Sequence, residues 1–319
     1  MVKQVILDIS FSRKFAYEFF NLFSKLKNIK ILSRESYELK SYIEILSNSE
    51  NLQHITLSSE FENFNSLLDS EYHSLFYRLK SIEIYVPSTM VNGESPLDII
   101  DSSFTNLENL TLVNNSMLYK LSNGISSLLY VKFYYGYQFD KAELNNFICN
   151  NTQLKQISIS SINLDENVIN SILALKNLYK LEILFLRHKL NGFSIHTENY
   201  SIKHFIYTGS RVKDYNLTIG VLERCKNLKI YVTSYISNYD NIIGSEFPEV
   251  DTLLLTSLFH CDMDILSQKF TKFNQVKFRD GCKFSYIADQ LLNYPDIKWM
   301  PKQEYTRGTN EFTLVRNSA

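Results

Sequence analysis

The chain has 319 residues, 45% of them hydrophobic and 21% charged, a balance that folds into a core and excludes an intrinsically disordered protein. Lys and Arg number 33 against 34 Asp and Glu, for a net charge of -1, and the linear sequence shows neither the basic excess nor the basic stripe of a nucleic-acid or anionic-membrane binder. No apolar run approaches the roughly 18 residues that cross a bilayer, and MVKQVILDISFSRKF lacks the basic-then-apolar layout of a secretory signal.

The first strand is expected at Val2, Val5 and Leu7, followed by a helix from about Phe11 to Leu26. Further strands follow at Leu26-Ile29-Ile31, Leu52-Ile55-Leu57, Leu79-Ile82-Ile84, Leu107-Leu110-Leu112 and Leu128-Val131-Phe133. The clearest stretch is Thr152 to Leu186, in which Leu154-Ile157-Ile159 is followed by a helical run and then, 24 residues on, by Leu178-Leu181-Ile183. Ile202-Phe205-Tyr207 comes next; near Leu228-Ile230-Val232 the spacing contracts to simple alternation, and Val250-Leu253-Leu255 and Phe273-Val276-Phe278 restore it. The last start, at Ile297 and Met300, is followed by a polar tail over 301–319.

Between these strands, Asp165 and Asp140 are expected to cap helices carrying Val168-Ile169-Ile172-Leu173 and Leu144-Phe147-Ile148. Ser210 or Asp214 opens a third helix with Leu217, Val221 and Leu222, and Phe284 to Leu292 has helical spacing before Pro295. The segments from Pro87 to Pro96 and from Arg187 to Asn199 read as loops. Successive starts lie 21 to 28 residues apart, and a strand of spacing L-x-x-L-x-L returning through a helix is the pattern of a leucine-rich repeat. The expectation is an α/β horseshoe solenoid of about 12–13 repeats, with a parallel sheet on the concave face, helices on the convex face and a single domain over 1–319. Nine glycines and five prolines leave no flexible linker to divide it.

The fragments "CKNLKI" (Cys225 to Ile230) and "NLENLTL" (Asn106 to Leu112), with the period near 25, resemble the ribonuclease-inhibitor-like and F-box-associated leucine-rich repeat proteins. That resemblance covers essentially the whole chain. It implies a protein-binding role as the substrate-recognition part of a ubiquitin ligase that docks an adaptor through an F-box; the alternative is a non-ligase scaffold or an enzyme inhibitor of the ribonuclease-inhibitor kind. The first repeat starts at Val2 with no F-box ahead of it. Its apolar edge then needs a missing N-terminal domain, a cover formed by Phe15, Phe19 and Phe20, or a partner.

Chemistry is sparse. Cys149, Cys225, Cys261 and Cys282 are scattered, which fits buried thiols in a cytoplasmic or nuclear protein. His260-Cys261-Asp262, with Asp264 and Cys282, is the only group of metal-ligand types, and it lacks the paired close spacings of a zinc site. Arg279 ends a strand and is a weak candidate for phosphoryl-transfer work. No catalytic motif and no cofactor loop is present, so no enzyme activity, metal or cofactor is expected. Five N-x-S/T triplets, at Asn109, Asn114, Asn150, Asn199 and Asn216, are what an Asn- and Ser-rich composition produces by chance.

Alternation along a strand turns the residues between the inward positions to the opposite face. The richest such patch is Glu83, Tyr85, Tyr130, Lys132 and Tyr134, with Tyr135 and Tyr137 beyond it; Lys180 and Glu182 carry the face onward. Tyrosine interspersed with charge suits a protein-binding surface, and the expected partners are proteins rather than nucleic acid or membrane.

Overall fold

The structure, a computed structural model, describes residues 3–7, 18–19, 22–62, 73–85, 96–185, 194–209, 215–233, 248–256, 272–279, 299–306 and 309–316. The chain divides into two compact units, Met1–Ile159 and Ser160–Ala319.

The first unit stacks seven strands in chain order, every neighbouring pair parallel: β1 (Gln4–Leu7), β2 (Asn28–Glu38), β3 (His54–Glu62), β4 (Ser81–Tyr85), β5 (Asn109–Leu112), β6 (Tyr130–Phe133) and β7 (Gln156–Ser160). The connections carry α1 (Leu39–Ser47), α2 (His73–Arg78), a 3₁₀ turn at Pro96–Ile99, α3 (Asn115–Lys120) and α4 (Lys141–Asn150). β2 and β3 run several residues past their inward positions, and their register shifts between Leu32 and Ser36.

The second unit opens with a 3₁₀ turn (Ser161–Asn163) and α5 (Glu166–Ala174). β8 (Lys180–Phe185), β9 (His204–Gly209), β10 (Ile230–Thr233), β11 (Val250–Leu255) and β12 (Phe273–Arg279) are again parallel in chain order, with α6 (Tyr215–Arg224) before β10. Chain order then breaks. Instead of a polar tail, β13 (Trp299–Thr306) and β14 (Thr309–Arg316) pair with each other antiparallel, and β14 pairs antiparallel with β12, placing β13 outermost. The solenoid-compatible α/β architecture therefore holds for the described strands up to β12 and gives way to antiparallel pairing after it.

The inward positions fall where the apolar spacing puts them. In β2 to β9, β11 and β12 the three apolar residues of each strand motif are all buried. Helices pack on that face: Phe133 of β6 meets Phe147 of α4 edge-on, with ring centroids 5.8 Å apart. The exception is β10, where Tyr231 and Thr233 point inward and Ile230 and Val232 align with the outward residues His204 and Ile206. Phe205 stacks on Tyr231 at 5.8 Å, so two aromatics in register occupy the place that Ile, Leu or Val holds in the other parallel strands from β2 to β12. Asp140 and Asp165 cap α4 and α5 by accepting from the amides of Glu143 and Val168 (3.0 and 2.9 Å). Residues 210–214 and the run from Phe284 to Leu292 lie outside the described residues.

One hydrogen-bond scheme recurs at the turns that enter β2 to β7, β9 and β10. Two consecutive amides donate to a single carbonyl one turn back: Gln53 and His54 to Lys27, Lys80 and Ser81 to Gln53, Glu108 and Asn109 to Lys80, Leu129 and Tyr130 to Glu108, all at 2.8–3.1 Å. In the second unit Lys203 and His204 share the Tyr179 carbonyl, and Lys229 and Ile230 share that of Lys203. Three residues before the strand a polar side chain donates to the preceding turn as well. Asn51, Asn106 and Asn227 reach the carbonyls of Ser24, Tyr77 and Tyr200 (2.7, 2.8 and 2.8 Å), while Ser127 and Gln153 reach those of Leu107 and Ile125 (2.8 and 2.6 Å).

Two buried asparagines strengthen the scheme. Asn199 donates to the carbonyls of Leu173 and Leu175 and accepts from the amides of Ser201 and Ile202, each at 2.7–2.9 Å. Asn151 donates to Phe147 and accepts from Ile125. Beside it Gly124 turns with φ 85°, where a Cβ would lie 2.6 Å from the Asn150 carbonyl oxygen. Asn199 and Asn114, both in N-x-S/T triplets, are thus structural: Asn114 caps α3 by accepting from the Met117 amide at 2.9 Å.

Leu181→Asp, which puts a carboxylate at a fully buried position, is expected to cost about 4 kcal/mol or more and unfold the second unit. Glu182→Ala, one residue away on the other face, should stay within about 0.5 kcal/mol of wild type in denaturant titration. Asn199→Ala leaves two carbonyls and two amides without their bridge and should lower stability by about 3 kcal/mol; Asn199→Asp should not rescue it, because a carboxylate cannot donate to Leu173 and Leu175.

Candidate functional site

The outward rows of the first unit are fixed by strand register. Ser81, Asn109, Tyr130 and Gln156 stand side by side, as do Thr111, Lys132 and Ser158, while Glu83 and Tyr85 continue along β4. Lys132 of β6 reaches across β5 and sets its ammonium 4.1 Å from the centre of the Tyr85 ring on β4. The Tyr85 hydroxyl lies 3.4 Å from a Glu83 carboxylate oxygen. Thr111, the outward residue of the intervening strand, is covered. Glu83, Tyr85 and Lys132 thus form a connected group, and Tyr85 (39% exposed) and Tyr130 (38% exposed) still present large aromatic area to solvent.

Tyr134 does not belong to that surface. It is expected on the outward face but is only 3% exposed, because β6 ends at Phe133 and the backbone turns inward. Its amide bonds to the Leu112 carbonyl at 2.9 Å, and Gly136 packs so closely that a Cβ there would come within 2.9 Å of the ring. Burial, with a smaller push from neighbouring Tyr135, raises its phenol to about 12. Tyr135, whose ring centroid is 5.1 Å from that of Tyr134, takes the exposed place instead. Val113 and Ser160, at the equivalent positions after β5 and at the end of β7, are buried too.

Lys180 and Glu182 lie on the outward face of the second unit, paired in register with His204 and Ile206. They are not grouped with Tyr85 and Lys132; each set belongs to its own unit. Beside Lys180 stand His204, which alternation places on the same face, and Tyr179, which alternation does not place there. Tyr179, exposed before β8, lies with its hydroxyl 2.8 Å from His204 Nε2, and burial together with the charge of Lys180 lowers the His204 pKa. Their signal was present as Tyr-Lys and Lys-His dipeptides at the same place in successive strand motifs, which only register alignment reveals.

His260, Cys261, Asp262, Asp264 and Cys282 lie outside the described residues. Among the described residues no group of three or more His, Cys, Asp or Glu side chains is arranged to hold a metal ion. Arg279 ends β12 in register with Glu311 of β14. Cys225 is buried and its thiol is pushed up to about 12 by desolvation, whereas Cys149 is exposed. Among the described residues no helix is long and apolar enough to cross a membrane. No protein-family model matches the chain, and no curated protein matches it.

The Tyr134 phenol, isolated as the difference between wild type and Tyr134→Phe, should titrate near 12 rather than 10 in phenolate absorbance. Because its folded pKa is raised, the wild type should lose stability relative to that variant as pH climbs from 10 towards 12, with the difference between them constant below 10.

Proposed function

We propose that this chain is a protein-binding module, a leucine-rich repeat solenoid of the horseshoe kind that recognises a partner through the outward face of its sheet. Its resemblance to the substrate-recognition part of F-box leucine-rich repeat subunits makes a cytoplasmic or nuclear ubiquitin-ligase receptor the leading role. The observation that carries the binding reading is the Glu83–Tyr85–Lys132 group beside Tyr130: aromatic area held in place before any partner arrives. Tyrosine and cation-backed aromatic surfaces supply much of the affinity at protein interfaces, and a pre-ordered group loses less side-chain entropy on binding. The inward residues carry stability, so the outward ones are free to carry recognition.

Affinity purification with quantitative mass spectrometry tests it. Tyr85→Ala with Tyr130→Ala should reduce capture of specific partners about tenfold while the melting temperature moves by only about 3 °C or less. Tyr134→Ala should instead lower the melting temperature clearly, since it removes a buried ring. An unchanged partner profile in the double variant would remove the surface from consideration. Absence of a ubiquitin-ligase adaptor from complexes of the complete gene product would remove the ligase role and leave the binding role standing.

A further inference from the structure

Stacking in the second unit assembles a charged surface that the linear sequence conceals. Tyr179, Lys203 and Lys229 occupy one place on three successive turns, each immediately before its strand, as the shared-carbonyl hydrogen bonds fix. Four residues before the strand-opening Lys180, His204 and Ile230 come Lys176, Tyr200 and Lys226, again in phase. Neighbouring strands lie about 4.8 Å apart, so three turns gather these side chains within about 10 Å along the stack. Tyr179 is 51% exposed and Tyr200 is 61% exposed, so aromatic rings sit among the ammonium groups.

Five lysines, Lys176, Lys180, Lys203, Lys226 and Lys229, stand here against three carboxylates, Glu182, Glu198 and Asp251. Lys226 pairs with Glu198 at 3.2 Å, and Glu198 also accepts from the Tyr200 hydroxyl at 2.8 Å. Lys176, Lys180, Lys203 and Lys229 form no ion pair among the described residues. The row is bounded on the next turn by Asp251, whose two carboxylate oxygens take hydrogen bonds from Thr252 and Asn274. His204 lies beside Lys180, held below its ordinary pKa by burial and then by that lysine.

The surface is also amphipathic. Directly along the strands from the lysines, Ile206 and Leu254 stand half-buried on the outward face with Ile230 near them, and Val232 between them in register is buried. We propose that this part of the sheet binds an extended protein segment in which acidic residues lead into apolar ones: carboxylates over Lys203, Lys229 and Lys180, aliphatic side chains over the half-buried Ile206, Ile230 and Leu254. The aliphatic row favours a peptide over a nucleic acid, which has nothing aliphatic and extended to lay there, and Glu198, Glu182 and Asp251 would repel a continuous polyanion. The inference rests on the protein-binding reading and gives its partner a chemical character at a second surface.

The test titrates the full chain with a fluorescent synthetic peptide of Asp and Glu residues followed by Ile and Leu. The same peptide with Asn and Gln for the acids, and a single-stranded oligo-dT, serve as comparisons. The acidic peptide should bind with an affinity that falls as salt rises, and the amide version about tenfold more weakly. Binding should move the His204 ring signals toward the protonated form in NMR, because a carboxylate beside the ring offsets Lys180. Lys203→Glu with Lys229→Glu should weaken binding about tenfold or more at unchanged melting temperature. Lys3→Glu with Lys27→Glu, at the same place in the first unit, should leave it unaltered. Peptide binding indifferent to the Lys203/Lys229 reversal, equal loss in both double variants, or tighter binding of oligo-dT than of the peptide each overturns the proposal. Because the probe is a defined peptide and the variants avoid Tyr85 and Tyr130, such a failure leaves the partner-capture test of the first unit untouched.

Discussion

A parallel strand cannot turn back on itself, so the turn that leads into it arrives with amides and carbonyls that only the neighbouring turn can satisfy. In this protein that obligation is met the same way again and again: two successive amides share one carbonyl of the turn before, and a side chain three residues upstream of the strand donates to another. Leaving one of these groups buried and unmet costs about 1–3 kcal/mol, comparable with losing a core methyl or two. The scheme therefore holds the strand entrances in phase while saying nothing about the connection between strands. That is why entrances can lie anywhere from 21 to 28 residues apart and still align residue for residue.

This division of labour explains what could be read in advance. Inward residues such as Leu154, Ile157 and Ile159 recur in a fixed pattern because burial demands it, and they were plain in the sequence. The Asn before the first leucine, as in Asn106 and Asn227, was visible in the quoted fragments, yet its role as a bridge appears only when neighbouring turns are laid side by side. β10 misled the pattern because both of its faces are partly apolar: Ile230 and Val232 outside compete with Tyr231 and Thr233 inside, and hydrophobicity alone cannot choose between them. Alternation carried one residue past the end of β6 puts Tyr134 outside, but the pleat no longer governs direction there and the ring is buried. The terminal hairpin has no leucine spacing at all, so nothing in the periodicity announced it.

The outward face is where chemistry is free to vary, and the two units use that freedom differently. In the first, large side chains tie themselves together across a strand, Lys132 over Tyr85, and bury the small Thr111 beneath them. In the second, aliphatic residues run side by side and the cations gather at the strand entrances. Lysines about 25 residues apart look unremarkable along a chain of net charge -1, and become neighbours only through the sheet. Net charge is a property of the sum, whereas a partner meets the local field.

The hairpin after β12 bears on how such a chain can lengthen over evolutionary time. β14 runs opposite to β12, and β13, lying beyond it, contains Pro301, which has no amide to offer a further strand. A duplicated strand–helix segment added after residue 316 would find no parallel neighbour to receive its paired amides. One spliced in before Phe273 would inherit a ready carbonyl on one side and supply one on the other. Among the described strands, the antiparallel hairpin is thus the place where the parallel register cannot simply be copied onward, whereas the strands before it can receive another of their own kind.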